Sequence, residues 1–331
     1  MSDPQEQNFQ TPPPPPATDT PAPRPTKLRP VAIALFVIGV LVLIGAIANF
    51  IPGGVGTGIL LACSGILLFA LSFIPLPQVE AVEPPMSPFE RVTGMFYEPS
   101  RVFRNLRAHP RWLAAFVVIA VMSVVYSTAF VRRLTPERII NFTTDKLAET
   151  GFVPAEAIEK GREKQLEEAK NPLHPVTAAV NSVVGIFVKY CLGAALFLLG
   201  ILAFGGRINF WQALCAVMYA GLPWHVIEKC ISLVLLYIKS PDDIHPVLNA
   251  ETLVQDNLGV LVSPAAHPIL FVVGTTFGVL SIYWLWLVAK GLHHTGSKVS
   301  SGAAWGVAIT VFTLNLIFGI ILATLFPSFI S

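Results

Sequence analysis

The run VAIALFVIGVLVLIGAIANFI (residues 31–51) carries a single polar side chain, Asn49. A helix rises 1.5 Å per residue, so about 20 apolar residues cross the hydrocarbon core of a bilayer. Inside that core each backbone N–H and C=O must be satisfied within the segment, which a helix achieves. Ala46-Ile47-Ala48 has the spacing of a signal cleavage site. The apolar stretch is too long for a signal peptide, and a second one follows at once, so an uncleaved spanning helix is expected. Pro52-Gly53-Gly54 supplies a tight turn, and residues 56–76 return across the membrane. The glycine run at 53–58 is not a phosphate-binding loop, since no Lys-Ser or Lys-Thr follows. Gly58 and Ala62 instead form a small-xxx-small pair suited to close helix contact.

The rest of the chain reads the same way. Of its 331 residues, 53% are hydrophobic and 13% charged, and the mean hydropathy is +0.65. The charged share is about half that of a soluble domain. Apolar runs recur at 113–130, 176–204, 211–238, 269–288 and 303–326. The expected fold is therefore all-α and polytopic, with about seven spans arranged as two plus five. The two longest runs exceed the bilayer and are expected to tilt, kink or protrude. A net charge of +2 gives no reason to expect nucleic-acid binding. Cys63, Cys191, Cys215 and Cys230 all fall in apolar runs and read as small buried hydrophobes, with neither a metal site nor a disulfide framework among them.

Residues 1–28 are polar and proline-rich, a composition that cannot bury a core, and read as a disordered tail with polyproline character. Residues 29–78 form the two-span hairpin. Residues 131–174 within the five-span part (113–328) make a charged loop of two helices. Thr135-Pro136-Glu137 starts the first, Gly151 stops it and Pro154 starts the second. Lys and Arg counts favour a cytoplasmic N-terminus, with eleven on that side against nine on the other.

Between hairpin and third span lies SPFERVTGMFYEPSRVFRNLRAHPRW (residues 87–112). Ser87-x-x-Glu90 is a capping box with Pro88 at the first helical position. A second short helix begins near Pro99. On it Val102, Phe103 and Leu106 share one arc, and Arg101, Arg104 and Arg107 the opposite one. The pattern predicts an interfacial platform, its apolar arc in lipid and its arginines toward anionic headgroups or a protein partner. Trp112 is expected to anchor the next span at the membrane boundary.

These features, in order, resemble the Yip (Ypt/Rab-interacting protein) domain family in its bacterial form. Pro88-Phe89, Phe96-Tyr97-Glu98-Pro99 and Pro110-Arg111-Trp112 lead into the first of five spans. Arg207-Ile208 precedes Tyr219-Ala220-Gly221-Leu222-Pro223 inside a span. Trp284 leads to Gly291-Leu292 and Gly296-Ser297 before the last helix. The resemblance implies a five-span bundle with a cytoplasmic N-terminal region, in a bacterial cytoplasmic membrane. Eukaryotic relatives bind Rab-type GTPases and act in vesicle traffic and membrane shaping.

Lys189, His225, Glu228 and Lys229 interrupt apolar runs, and ionisable groups in the membrane are costly and functional by default. A Lys189–Glu228 pair would lower the cost of both. His225, Glu228 and Lys229 share a helical face. One reading is a proton or ion relay; the other is that both long spans protrude and these groups snorkel to the interface. His293 and His294, beside Lys290, suit headgroup contact better than metal ligation. Gly274-x-x-x-Gly278 and Gly302-x-x-x-Gly306 suggest close packing of the last two spans, or contact between copies in a homo-oligomer. No nucleophile–base pair and no cofactor motif stands out. The expected function is a non-enzymatic membrane scaffold or adaptor; the alternative is a transporter or channel.

Overall fold

Apolar runs between proline and glycine punctuation become twelve helices in the computed structural model, which describes residues 25–48, 50–51, 54–77 and 83–327. Nearly all of the proline-rich tail and part of the Pro52-Gly53-Gly54 turn lie outside the described residues. α1 (Arg29–Ile47) and α2 (Gly54–Leu71) form the expected hairpin. Their backbones touch: a Cβ on Gly39 would lie 2.4 Å from the Ala62 nitrogen, and one on Gly58 would lie 2.7 Å from that of Leu43. The small-residue pair at Gly58 and Ala62 thus serves helix contact as read. The hairpin is pinned to the bundle where α2 ends. Trp211 Nε1 donates to the Ile74 carbonyl and Asn209 Nδ2 to that of Pro75, each at 3.0 Å.

α3 (Pro88–Tyr97) and α4 (Pro99–Ala108) make the platform. α5 (Leu113–Leu134) crosses to the far end, where α6 (Pro136–Thr150) and α7 (Ala155–Ala169) pack together. Arg162 bonds Asp145 between them. Thr135 occupies the cap position of α6, but its side chain makes no capping bond. α8 (His174–Ala203) returns and α9 (Phe210–Ile238) crosses again. α9 is the central helix, with α5, α8 and α11 around it. Every residue from 210 to 223 is buried. Asn209 and Gln212 form its capping box. Pro223 lies inside α9 without ending the helix. Proline there leaves only the Tyr219 carbonyl without its helical donor.

The sixth expected span is two helices, α10 (Pro268–Thr276) and α11 (Val279–Thr295), followed by α12 (Ser301–Leu325). The pair follows α12 along its length. Trp286 and Trp305 line one recess, the Phe277 and Phe312 rings are 5.8 Å apart, and Val272 abuts Gly319. Six helices among the described residues, α1, α2, α5, α8, α9 and α12, are long and apolar enough to cross a membrane unbroken. The apolar run 269–288, split between α10 and α11, is read as one broken crossing, and the last turn of α11 with His293 and His294 lies beyond that run. The break has a cause. The chain re-enters at 249–261, and Asp256 takes over the start of α11. Its Oδ2 accepts from the Leu280 N–H at 2.6 Å, and Asn257 pairs with Gly278. A Cβ on Gly278 would strike the Asp256 carboxylate at 2.8 Å, and one on Gly274 the Gly259 nitrogen at 2.7 Å. These two glycines therefore admit the re-entering loop; they do not pack the last two spans together.

Large apolar side chains stand exposed along the outside, among them Leu192, Leu196 and Leu199 on α8 and Leu314, Phe318 and Ile321 on α12. In a bilayer, lipid chains cover them. Cys191 and Cys215 are buried as expected, whereas Cys63 and Cys230 lie on this outer surface; all four are free thiols.

Candidate functional site: platform, basic cleft and a buried polar cluster

The platform is clamped to the bundle by its own sequence. Ser87 and Glu90 close the capping box, with the Ser87 N–H on Glu90 Oε2 at 2.8 Å and the Glu90 N–H on Ser87 Oγ at 3.1 Å. The Ser87 amide and hydroxyl hold the Glu90 carboxyl below its usual pKa of 4.5. Gln212 Nε2 donates to the Arg107 carbonyl and the Tyr219 hydroxyl to that of Arg111. The lipid-facing arc expected on α4 is corrected here. Val102, Phe103 and Leu106 are fully buried against α9 and α11, with the Phe103 ring over Gly291. The exposed apolar stripe belongs to α3, where Phe89 is 77% exposed and Phe96 and Tyr97 accompany it. Trp112 packs half-buried against Phe116 and Phe187, with ring centroids 5.8 and 5.4 Å away, and is an internal contact more than a lipid anchor.

The three arginines split. Arg101 is exposed and pairs with Glu98 at 3.3 Å. Arg104 and Arg107 line a cleft of about 500 Å³ with His293, His294, Gly296, Lys298, Val299 and Ser300. Burial pushes the His294 ring below its usual 6.5, and the nearby His293, Arg104 and Lys290 push the same way. Beneath the platform Arg91 is only 2% exposed, within 3.4 Å of the Ser87 and Arg111 carbonyls.

At the far end His225, Glu228 and Lys229 do share a face of α9. Glu228 and Lys229 are 6% and 4% exposed, so the snorkelling reading fails for them. Lys189 is exposed on α8 and makes no ion pair with Glu228 among the described residues, so the expected pair does not form. Instead the loop at 249–257 closes over the site. Lys229 Nζ donates to the Glu251 carbonyl and stands 4.9 Å from the Tyr126 ring centroid. Tyr126 donates to the Asn249 carbonyl at 2.6 Å. The Leu253 N–H reaches Ser232 Oγ at 3.1 Å, and His225 Nε2 lies 3.2 Å from Ser123 Oγ. Glu228 Oε2 and His225 Nδ1 are buried with no bonding partner among the described residues.

The sequence reading missed Arg91, Asp256 and the re-entering loop. Asn209-x-x-Gln212 was a legible capping signal. No signal near Asp256 points to Leu280, its partner 24 residues on.

Apolar outer faces, six unbroken crossings and a broken seventh define an integral, multi-pass, all-helical membrane protein. The chain belongs to the Yip1 domain family, whose model matches residues 93–323. That match begins within α3, takes in α4 and the five-crossing bundle to within two residues of the end of α12, and leaves the α1–α2 hairpin outside. No curated protein and no solved structure matches the chain.

Proposed function

We propose that this protein is a non-enzymatic membrane scaffold or adaptor of the Yip type, its platform end facing the cytoplasm of a bacterial cell. One observation carries the reading. The platform is hydrogen-bonded and packed onto the bundle, yet presents Phe89, Phe96 and Tyr97 outward as exposed side chains, with Arg101 beside them also exposed and paired to Glu98. An aromatic stripe beside an exposed cation is the composition of a protein-contact surface. The test is purification from the native membrane in mild detergent, comparing wild type with a Phe89→Ser, Phe96→Ser, Arg101→Glu variant. A protein held by wild type and released by the variant supports the reading. Identical co-purifying proteins, or none, sink it.

A transporter or channel draws on a different observation: buried Glu228 and Lys229 lie near the broken crossing, and discontinuous helices line ion and substrate paths in transporters. It requires flux in proteoliposomes that Glu228→Gln abolishes.

A further inference from the structure

The cleft behind the platform gathers more positive charge than its packing uses. Arg104 and Arg107 come from α4, His293 and His294 from the last turn of α11, and Lys298 from the turn that follows. His293 and His294 also line an adjoining recess of about 300 Å³ with Trp286, Ala289, Lys290, Ser301 and Trp305. No carboxylate lines either space among the described residues, and Arg104, Arg107, Lys290 and Lys298 form none of the ion pairs there. Like charges gathered around one space repel unless a counter-charge sits between them. Arg107 Nε is buried without a bonding partner among the described residues, a charged donor left unmatched.

The turn that carries Lys298 is fixed in advance. The Arg207 N–H donates to the Ser297 carbonyl at 2.9 Å, and the Ser297 N–H returns to Arg207 at 2.7 Å. His293 Nδ1 stands 2.8 Å from the Val299 carbonyl. Lys298 has φ +57°, a left-handed conformation that lysine adopts only when its surroundings impose it.

We propose that this cleft binds the phosphate of an anionic phospholipid headgroup, and that the lipid's glycerol and chains leave through the adjoining aromatic recess. Charge complementarity selects a phosphate. The recess selects a lipid over a soluble phosphate. Lys290 Nζ lies 4.2 Å from the Trp286 ring centroid. One helical turn further from the cleft, Ile282 follows Trp286 on α11 and Ile309 follows Trp305 on α12, and both isoleucines are exposed. The track therefore runs from cations through tryptophans to apolar surface, the order in which a lipid presents its headgroup, glycerol and chains. The proposal rests on the scaffold reading only in setting this end against an anionic leaflet. The experiment does not need that orientation, because detergent exposes both ends.

The full chain in a non-ionic detergent is mixed with phosphatidylglycerol or phosphatidylcholine of matched chains, and retained lipid is read by native mass spectrometry. Wild type should keep one phosphatidylglycerol at concentrations where phosphatidylcholine is lost. Arg107→Gln and Lys298→Asn should each weaken retention about fivefold, the share of one cation at an anionic surface. Arg101→Glu, outside the cleft, should leave it unchanged. Asn accepts the left-handed conformation, so Lys298→Asn keeps the test alive if Arg107→Gln fails to fold. Equal retention of both lipids, or indifference to both cleft variants, overturns the proposal. Full displacement by inorganic phosphate at equal concentration overturns the lipid assignment in favour of a soluble phosphate. Loss of a protein partner in the Phe89, Phe96, Arg101 variant bears on the scaffold reading alone.

Discussion

At His294 the fold and the proposed ligand pull in opposite directions. Burial first, then His293, Arg104 and Lys290, hold its pKa below the usual 6.5, so the folded ring resists the proton. An unfolded ring accepts it near 6.5. Between the two values the unfolded state binds more protons, and stability must fall as pH drops through 6.5. Arg107 and Lys298 are the other cations that line the cleft around the ring. A phosphodiester keeps its negative charge in this range, and its presence favours the imidazolium. Thermal unfolding followed by tryptophan fluorescence should therefore show a midpoint that declines from pH 7.5 to 5.5. The decline should shrink in His294→Gln, and phosphatidylglycerol should offset it in wild type more than in the variant. An identical pH profile for wild type and His294→Gln would remove His294 from this account. The sequence made the neighbourhood of His293, His294 and Lys290 visible, because they lie within five residues. It did not bring in Arg104 and Arg107, which arrive only when α4 packs against α11.

Helical elements were legible where the signal is local. The Ser87–Glu90 box, the prolines at the start of α3, α4 and α6, and the glycine at the end of α6 all act where the spacing placed them. The periodicity also grouped Val102, Phe103 and Leu106 correctly on one arc of α4. It could not say what covers that arc, because lipid chains and a leucine-rich helix face are equally apolar. The split of the sixth run was hidden for another reason: its hydropathy is continuous, and the break is made by Asp256 from a separate segment. Asp256→Ala should leave the Leu280 N–H without an acceptor, at a cost of about 1–3 kcal/mol. Asp256→Asn keeps an acceptor oxygen and should recover most of the loss. Hydrogen exchange read by mass spectrometry should quicken across 249–280 in the alanine variant and much less in the asparagine one. Unchanged exchange there in Asp256→Ala would mean that α11 starts at Gly278 without help.

Across the whole molecule, the two ends differ more in how their cations are used than in how many they hold. At the far end five of the nine cations, Arg138, Lys146, Lys160, Arg162 and Lys164, face a carboxylate within 4 Å, and Arg133 Nη2 donates to the Lys239 carbonyl. At the platform end Arg104, Arg107, Lys290 and Lys298 stand without such partners among the described residues. A thin margin of eleven against nine in the sequence thus becomes a clear contrast in free positive charge, and free positive charge is what an anionic cytoplasmic leaflet and the insertion machinery respond to. The platform end is accordingly expected inside and α6–α7 outside. Single cysteines introduced at Lys298 and at Lys160, both exposed, in a chain with Cys63 and Cys230 replaced by serine, test this directly. In intact cells a membrane-impermeant maleimide should label the cysteine at 160 and spare the one at 298; after permeabilisation it should label both. The reverse pattern would turn the molecule over. The basic cleft would then face the outer leaflet, where an adaptor for cytoplasmic partners has no place, while the lipid site could still bind in detergent.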